Sequence, residues 1–160
     1  MKFITVGRRL LLVLPLLLIA TDTLLAFDWR TLADSRHATR IEYPLELFSE
    51  VEETPDGIIM TGPQARLEMS AMTVDSVSTA ADLRALIEGR EGYENITYTP
   101  GGSRWLVVSG YRGPDIYYEK FLIGSDKVRG FSVQYPTAMR DLYDPIVERL
   151  EDSFRVQTTQ

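Results

Sequence analysis

Two periods of hydrophobicity alternate along the chain. From Ala38 to Tyr43 the pattern suits a first strand, which Pro44 ends because proline has no donor for a ladder. Phe48 and Val51, among acids, mark a weaker second strand. Pro55-Asp56-Gly57 is a turn signal before Ile58–Thr61, and Gly62-Pro63 turns the chain again. Ala65, Leu67, Met69 and Ala71 then alternate with polar neighbours up to Val74. At Thr79 the period changes. Thr79 and Asp82 have the spacing of a capping box, Leu83, Leu86 and Ile87 follow at helical intervals, and Gly89 and Gly92 can end the helix near Glu88.

Four more strands are predicted near Ile96–Thr99, Arg104–Tyr111, Asp115–Ile123 and Val128–Tyr135. Turn formers separate them at Pro100-Gly101-Gly102, Arg112-Gly113-Pro114 and Gly124-Ser125-Asp126. The Arg104 and Asp115 strands are apolar on both alternating sets, so both their faces must be covered. Met139, Leu142, Tyr143, Ile146, Val147, Leu150 and Phe154 form one helical stripe that keeps phase across Pro145. That continuity predicts one kinked helix, not two. The sum is an α+β domain: an antiparallel sheet of about six to eight strands flanked by helices on both faces, an α/β/α sandwich.

The N-terminus obeys neither period. Lys2, Arg8 and Arg9 precede the wholly apolar run Leu10–Ala20, the layout of a secretory signal. The run is too short to cross a hydrocarbon layer of roughly 30 Å as a helix. Extending it to Phe27 places Asp22 inside the span, at a cost. Ala26 is the best cleavage point, although Leu24 stands where a small residue is preferred, so an uncleaved anchor is the alternative. This divides the chain into a signal or anchor at 1–26, a linker at 27–37, the domain at 38–154 and a tail at 155–160. The expected location is periplasmic or secreted, or anchored to the inner membrane and facing the periplasm. Membrane contact is expected only through a retained N-terminal segment.

Composition then removes chemistries. The 160 residues include no Cys and one His, which excludes disulfides, thiol nucleophiles, thiolate zinc and multi-histidine metal sites. The whole chain carries 17 basic against 23 acidic residues. Without Lys2, Arg8, Arg9 and Asp22, 14 basic and 22 acidic residues remain, a net charge of −8. No basic stripe offsets it, and nucleic-acid binding is rejected.

Short motifs then acquire an order: Tyr43-Pro44, Asp56-Gly57, Val107-Val108-Ser109-Gly110, Ile116-Tyr117-Tyr118-Glu119-Lys120, Val133-Gln134-Tyr135-Pro136 and Leu150-Glu151-Asp152-Ser153-Phe154. Over residues 38–154 this resembles the PsbP-like domains, an α/β/α sandwich shared by extrinsic photosystem proteins, Mog-type Ran-binding factors and many small secreted bacterial proteins. The resemblance implies binding of larger partners in place of catalysis, and carries over no catalytic residue.

Individual residues add little chemistry. His37 could serve a triad with Ser109, but Val107 stands where a G-x-S-x-G elbow needs glycine, and His37 is expected to be exposed. Glu50, Glu52, Glu53 and Asp56 lack the alternation of a calcium loop and read as charge guarding an edge strand. No catalytic, cofactor-binding or metal-ligating residue is assigned, and no cofactor is expected. Trp105, Tyr111, Arg112 and Tyr117 are the candidate contacts, because aromatic and arginine side chains anchor partners, although aromatics at strand spacing also fill cores. The reading is an exported non-enzymatic interaction or accessory domain whose partner is an unidentified cell-envelope protein. A small-molecule or lipid binder is the alternative, and a hydrolase through Ser109 or paired carboxylates is the third.

Overall fold

A computed structural model describes residues 27–157, so the signal or anchor expected at 1–26 lies outside the described residues. Ten strands and two helices follow in the order β1 (Trp29–Asp34), β2 (Thr39–Pro44), β3 (Glu50–Thr54), β4 (Gly57–Thr61), β5 (Arg66–Met72), α1 (Ala80–Ile87), β6 (Ile96–Tyr98), β7 (Trp105–Arg112), β8 (Asp115–Ile123), β9 (Val128–Pro136), α2 (Arg140–Ser153) and β10 (Arg155–Val156). A 3₁₀ turn at Thr137–Met139 leads into α2. Seven strands form one sheet in the order β3-β4-β5-β9-β8-β7-β6, and β1-β2-β10 form a second. Every pairing is antiparallel. The last long strand, β9, closes the larger sheet by inserting between β5 and β8.

The period-2 pattern sorts side chains onto two cores. On one side, Leu67, Met69, Ile116, Phe131, Val133 and Tyr135 pack with Tyr143, Ile146, Val147 and Leu150 of α2 and with Ile41 and Tyr43 of β2. On the other, Leu106, Val108, Tyr117, Phe121, Ile123 and Val128 pack with Ala80, Leu83 and Ile87 of α1. The capping box at the start of α1 forms as the spacing demands: the Asp82 amide donates to Thr79 Oγ1 at 3.2 Å, and the Thr79 amide donates to the Asp82 carboxylate at 2.8 Å. α2 is one helix containing Pro145, in accord with the unbroken stripe.

The fold is α+β and mostly antiparallel, as the two periods require. A sandwich with helices across both faces is not what the layers amount to. Eight-residue α1 is about 12 Å long at 1.5 Å per residue, whereas seven strands at about 4.8 Å spacing span about 29 Å. The buried strand residues of its core therefore come from β7, β8 and β9, with partly buried Ile96 of β6 packed at the margin. On the other face, α2 shares the covering with the three-stranded sheet.

Two stretches read as irregular carry strands. The expected linker contains β1, which pairs with β2 along six residues from Trp29↔Pro44 to Asp34↔Thr39. The expected tail contains β10, with Arg155 opposite Arg40 and Val156 opposite Thr39. Both are edge strands of the small sheet, held by backbone pairing that needs no apolar alternation. Among the described residues no helix is long and apolar enough to cross a membrane.

Candidate docking groove

Strand alternation divides the four candidate contacts between the two faces. Trp105 and Tyr111 stand on the α2 side of β7, while Arg112 and Tyr117 stand on the α1 side. Trp105 is 39% exposed and Tyr117 is fully buried. Among the described residues, the Tyr117 hydroxyl is the one buried side-chain polar atom without a hydrogen-bond partner.

Arg112 is turned inward. Its guanidinium lies 4.0 Å from the Tyr117 ring centroid and 5.0 Å from that of Tyr93. It donates to Glu119 Oε1 at 2.8 Å and to the Gly92 carbonyl at 2.9 Å. Tyr93 donates its hydroxyl to Glu119 Oε2 at 2.6 Å, and Ser132 donates to Oε1 at 3.3 Å. Burial and the neighbouring Glu119 carboxylate both push the Tyr93 hydroxyl pKa up. This cluster straps the loop after α1 to the sheet. Glu119, its centre, is not among the candidate contacts read from the sequence, although an acid between Tyr117 and Phe121 on an apolar alternation is the available sign.

The α2 side offers a different surface. α2 packs chiefly on β2, β9 and β8, so the outermost strands β7 and β6 extend past it. Between the helix and those strands runs a groove of about 290 Å³, walled by Tyr98, Tyr118 and Tyr135 on the sheet side and by Arg140, Asp144 and Glu148 on the helix side. Tyr98 is 56% exposed. The groove's polar groups are largely pre-paired. Tyr135 donates to Asp144 Oδ1 at 3.0 Å, Arg140 donates to the Tyr111 hydroxyl at 2.9 Å, and Tyr118 donates to Glu151, which also pairs with Lys120 at 3.0 Å. Burial and the bonds to Glu151 and Asp144 push the Tyr118 and Tyr135 hydroxyls up. For Glu151, burial opposes the charge, but the bonds from Tyr118 and Lys120 outweigh it and lower the pKa. Neutral tyrosines bound to carboxylates make a preformed wall with little left to reorganise.

Ser109 is on the groove floor, and its hydroxyl donates to the Tyr117 carbonyl at 2.8 Å. His37 is elsewhere, in the turn between β1 and β2, and it is buried, contrary to the exposure expected. Its Nδ1 lies 2.8 Å from Asp34 Oδ2, and its carbonyl accepts from Arg129 Nε at 2.8 Å. The tight turn places Ala38 at φ 54°. The acids Glu50, Glu52 and Glu53 stand exposed on edge strand β3, and no group of three or more potential metal ligands occurs among the described residues. A more polar cleft of about 620 Å³ lies at the far end of the sheet, among Val74, Ser78, Arg104, Ser125 and Lys127.

No family model matches the chain, and no curated protein matches it. Among solved structures, cyanobacterial PsbP (CyanoP) from Synechocystis sp. PCC 6803 superposes with a TM-score of 0.57 at 12% sequence identity. The match covers 80% of this chain and 92% of that one. The fold is PsbP-like. At that identity the likeness concerns the path of the backbone, and the groove's chemistry rests on this chain's own side chains.

Proposed function

We propose that the chain is an exported, non-enzymatic accessory domain that docks a protein partner of the cell envelope through the groove beside α2. The observation that carries the reading is the exposure of Tyr98 in the groove, with Trp105 exposed further along β7 on the same sheet face. Large aromatics left in water beside a concave, pre-paired wall are the side chains most often buried at protein interfaces. The PsbP-like backbone supports an accessory role by analogy of fold. The basic, apolar start of the chain supports export to the periplasm or beyond, with cleavage after Ala26 or retention as an anchor.

Photo-crosslinking in the native cell tests the docking face. A photoreactive residue at Tyr98 is expected to capture a discrete protein adduct, and Tyr98→Ala combined with Trp105→Ala to weaken co-purification at least tenfold. Equal capture from a probe at Glu53, on β3, would remove the groove from the proposal. The cleft of about 620 Å³ supports a second reading, a small-molecule binder, because its volume falls in the range of ligand sites. Native mass spectrometry of the exported protein distinguishes the two, since a binder retains a small-molecule adduct.

A further inference from the structure

The three-stranded sheet holds two arginines in an arrangement that the fold alone does not justify. Arg155 of β10 stands directly opposite Arg40 of β2, so the two side chains leave the same face of the sheet. Directly opposed residues have Cβ atoms roughly 5 Å apart, and like charges so placed are destabilising. Acids outnumber bases in this chain, 23 to 17, so carboxylates to separate the two are not scarce. Arg30, Arg36, Arg66, Arg112, Arg129 and Arg149 each hold one, whereas Arg84, Arg90, Arg104 and Arg140 hold none among the described residues, so what sets Arg40 and Arg155 apart is their direct opposition. Among the described residues, Arg40 and Arg155 form no ion pair, and the one side-chain hydrogen bond of the two runs from Arg155 to the adjacent Phe154 carbonyl at 2.7 Å.

Both arginines line one cleft of about 160 Å³, with Thr31 and Ser153 beside them. That volume is well under the roughly 300–1,000 Å³ of drug-sized sites and suits a single small charged group. Two carboxylates border the cleft. Glu42 is already held by Arg149, whose Nε and terminal nitrogen lie 3.1 and 2.9 Å from Oε2. Asp152 remains as the negative charge at the rim.

We infer that Arg40 and Arg155 form a binding site for a phosphate group, carried by a soluble phosphate or by a phospholipid headgroup. A planar guanidinium presents parallel N–H donors that match phosphate oxygens, and one tetrahedral phosphate anion offers oxygens to both forks. Its charge turns the repulsion between the arginines into attraction. The site is on the small sheet and stands independently of the groove beside α2.

The test is thermal unfolding of the exported protein in sodium phosphate, against sodium chloride at equal ionic strength. Phosphate is expected to raise the midpoint progressively and chloride to leave it flat. Arg40→Gln and Arg155→Gln should each weaken the apparent phosphate affinity by about tenfold or more, the size of one charge-assisted contact. In chloride alone both variants should match or exceed the parent's midpoint, because the opposed charges are gone. Asp152→Asn should move the phosphate response to lower concentration. Sedimentation with phosphatidylglycerol and phosphatidylcholine vesicles separates the sources. Co-sedimentation with the anionic vesicles that Arg40→Gln abolishes assigns a headgroup, and a phosphate response without co-sedimentation assigns a soluble ligand. A phosphate response equal to that in chloride, or one unchanged in both arginine variants, overturns the site.

Discussion

The single histidine shows how a residue's neighbourhood overrides its place in the chain. Asp34 is almost fully buried, yet its carboxyl pKa lies below the ordinary 3.8. Burial works against the charge, and hydrogen bonds from His37 and Arg36 outweigh it. Arg36 extends the arrangement by donating to the Thr54 and Gly57 carbonyls at 2.9 and 3.1 Å, tying the β1–β2 turn to the β3–β4 hairpin. A carboxyl whose native pKa is depressed adds stability above its unfolded value, and that stability is lost as pH falls through the native one. The unfolding midpoint should therefore drop as pH falls below about 4. Asp34→Asn should lower the midpoint at pH 7, by about 1–3 kcal/mol in stability, and flatten the acid limb. Melting curves at pH 7, 4 and 3 check this, and parallel acid limbs in parent and variant would refute it.

At the scale of elements, legibility followed density of local signal. β8 begins and ends where the sequence placed it because Pro114 and Gly124 bound a nearly unbroken apolar run. The start of α1 was equally plain, since its cap is written in two residues three apart. β1 and β10 were invisible because their partner, β2, supplies the order they lack. The turn that carries His37 is tied to Arg129, 92 residues away. The groove was hidden for a related reason: Tyr98, Ser109 and Asp144 meet only once α2 is seated. One element depends on a single missing side chain. A Cβ on Gly110 would fall 2.0 Å from the Asn95 carbonyl oxygen, so β6 reaches β7 only because residue 110 is glycine. Gly110→Ala should displace β6 and leave the central strands paired. Hydrogen exchange would then quicken at Ile96–Tyr98 while amides of β8 keep their protection. Uniform loss of protection would mean that β6 is integral to the global fold.

The whole molecule has two cores but one scaffold. β8 and β9 contribute side chains to both, so neither core can dissolve while the other keeps its strands. The two tryptophans report on different places: Trp29 lies in the small sheet, 4.0 Å beneath the Arg149 guanidinium, and Trp105 lies in β7. Urea unfolding followed by fluorescence in Trp29→Phe and Trp105→Phe should give coincident transitions with circular dichroism in each variant. An earlier transition at Trp29 alone would identify the small sheet as a separate unit. The position of β9 also sets a timetable. Its partners β5 and β8 lie on either side of it in space but both precede it in the chain, and Arg66 pairs with Gln134 across most of the domain. Until β9 is synthesised, the nascent polypeptide can form at most two separate meanders, each with an open edge. Long-range closure of this kind is slow. For a chain exported unfolded, as proposed above, that delay would come from its own strand order.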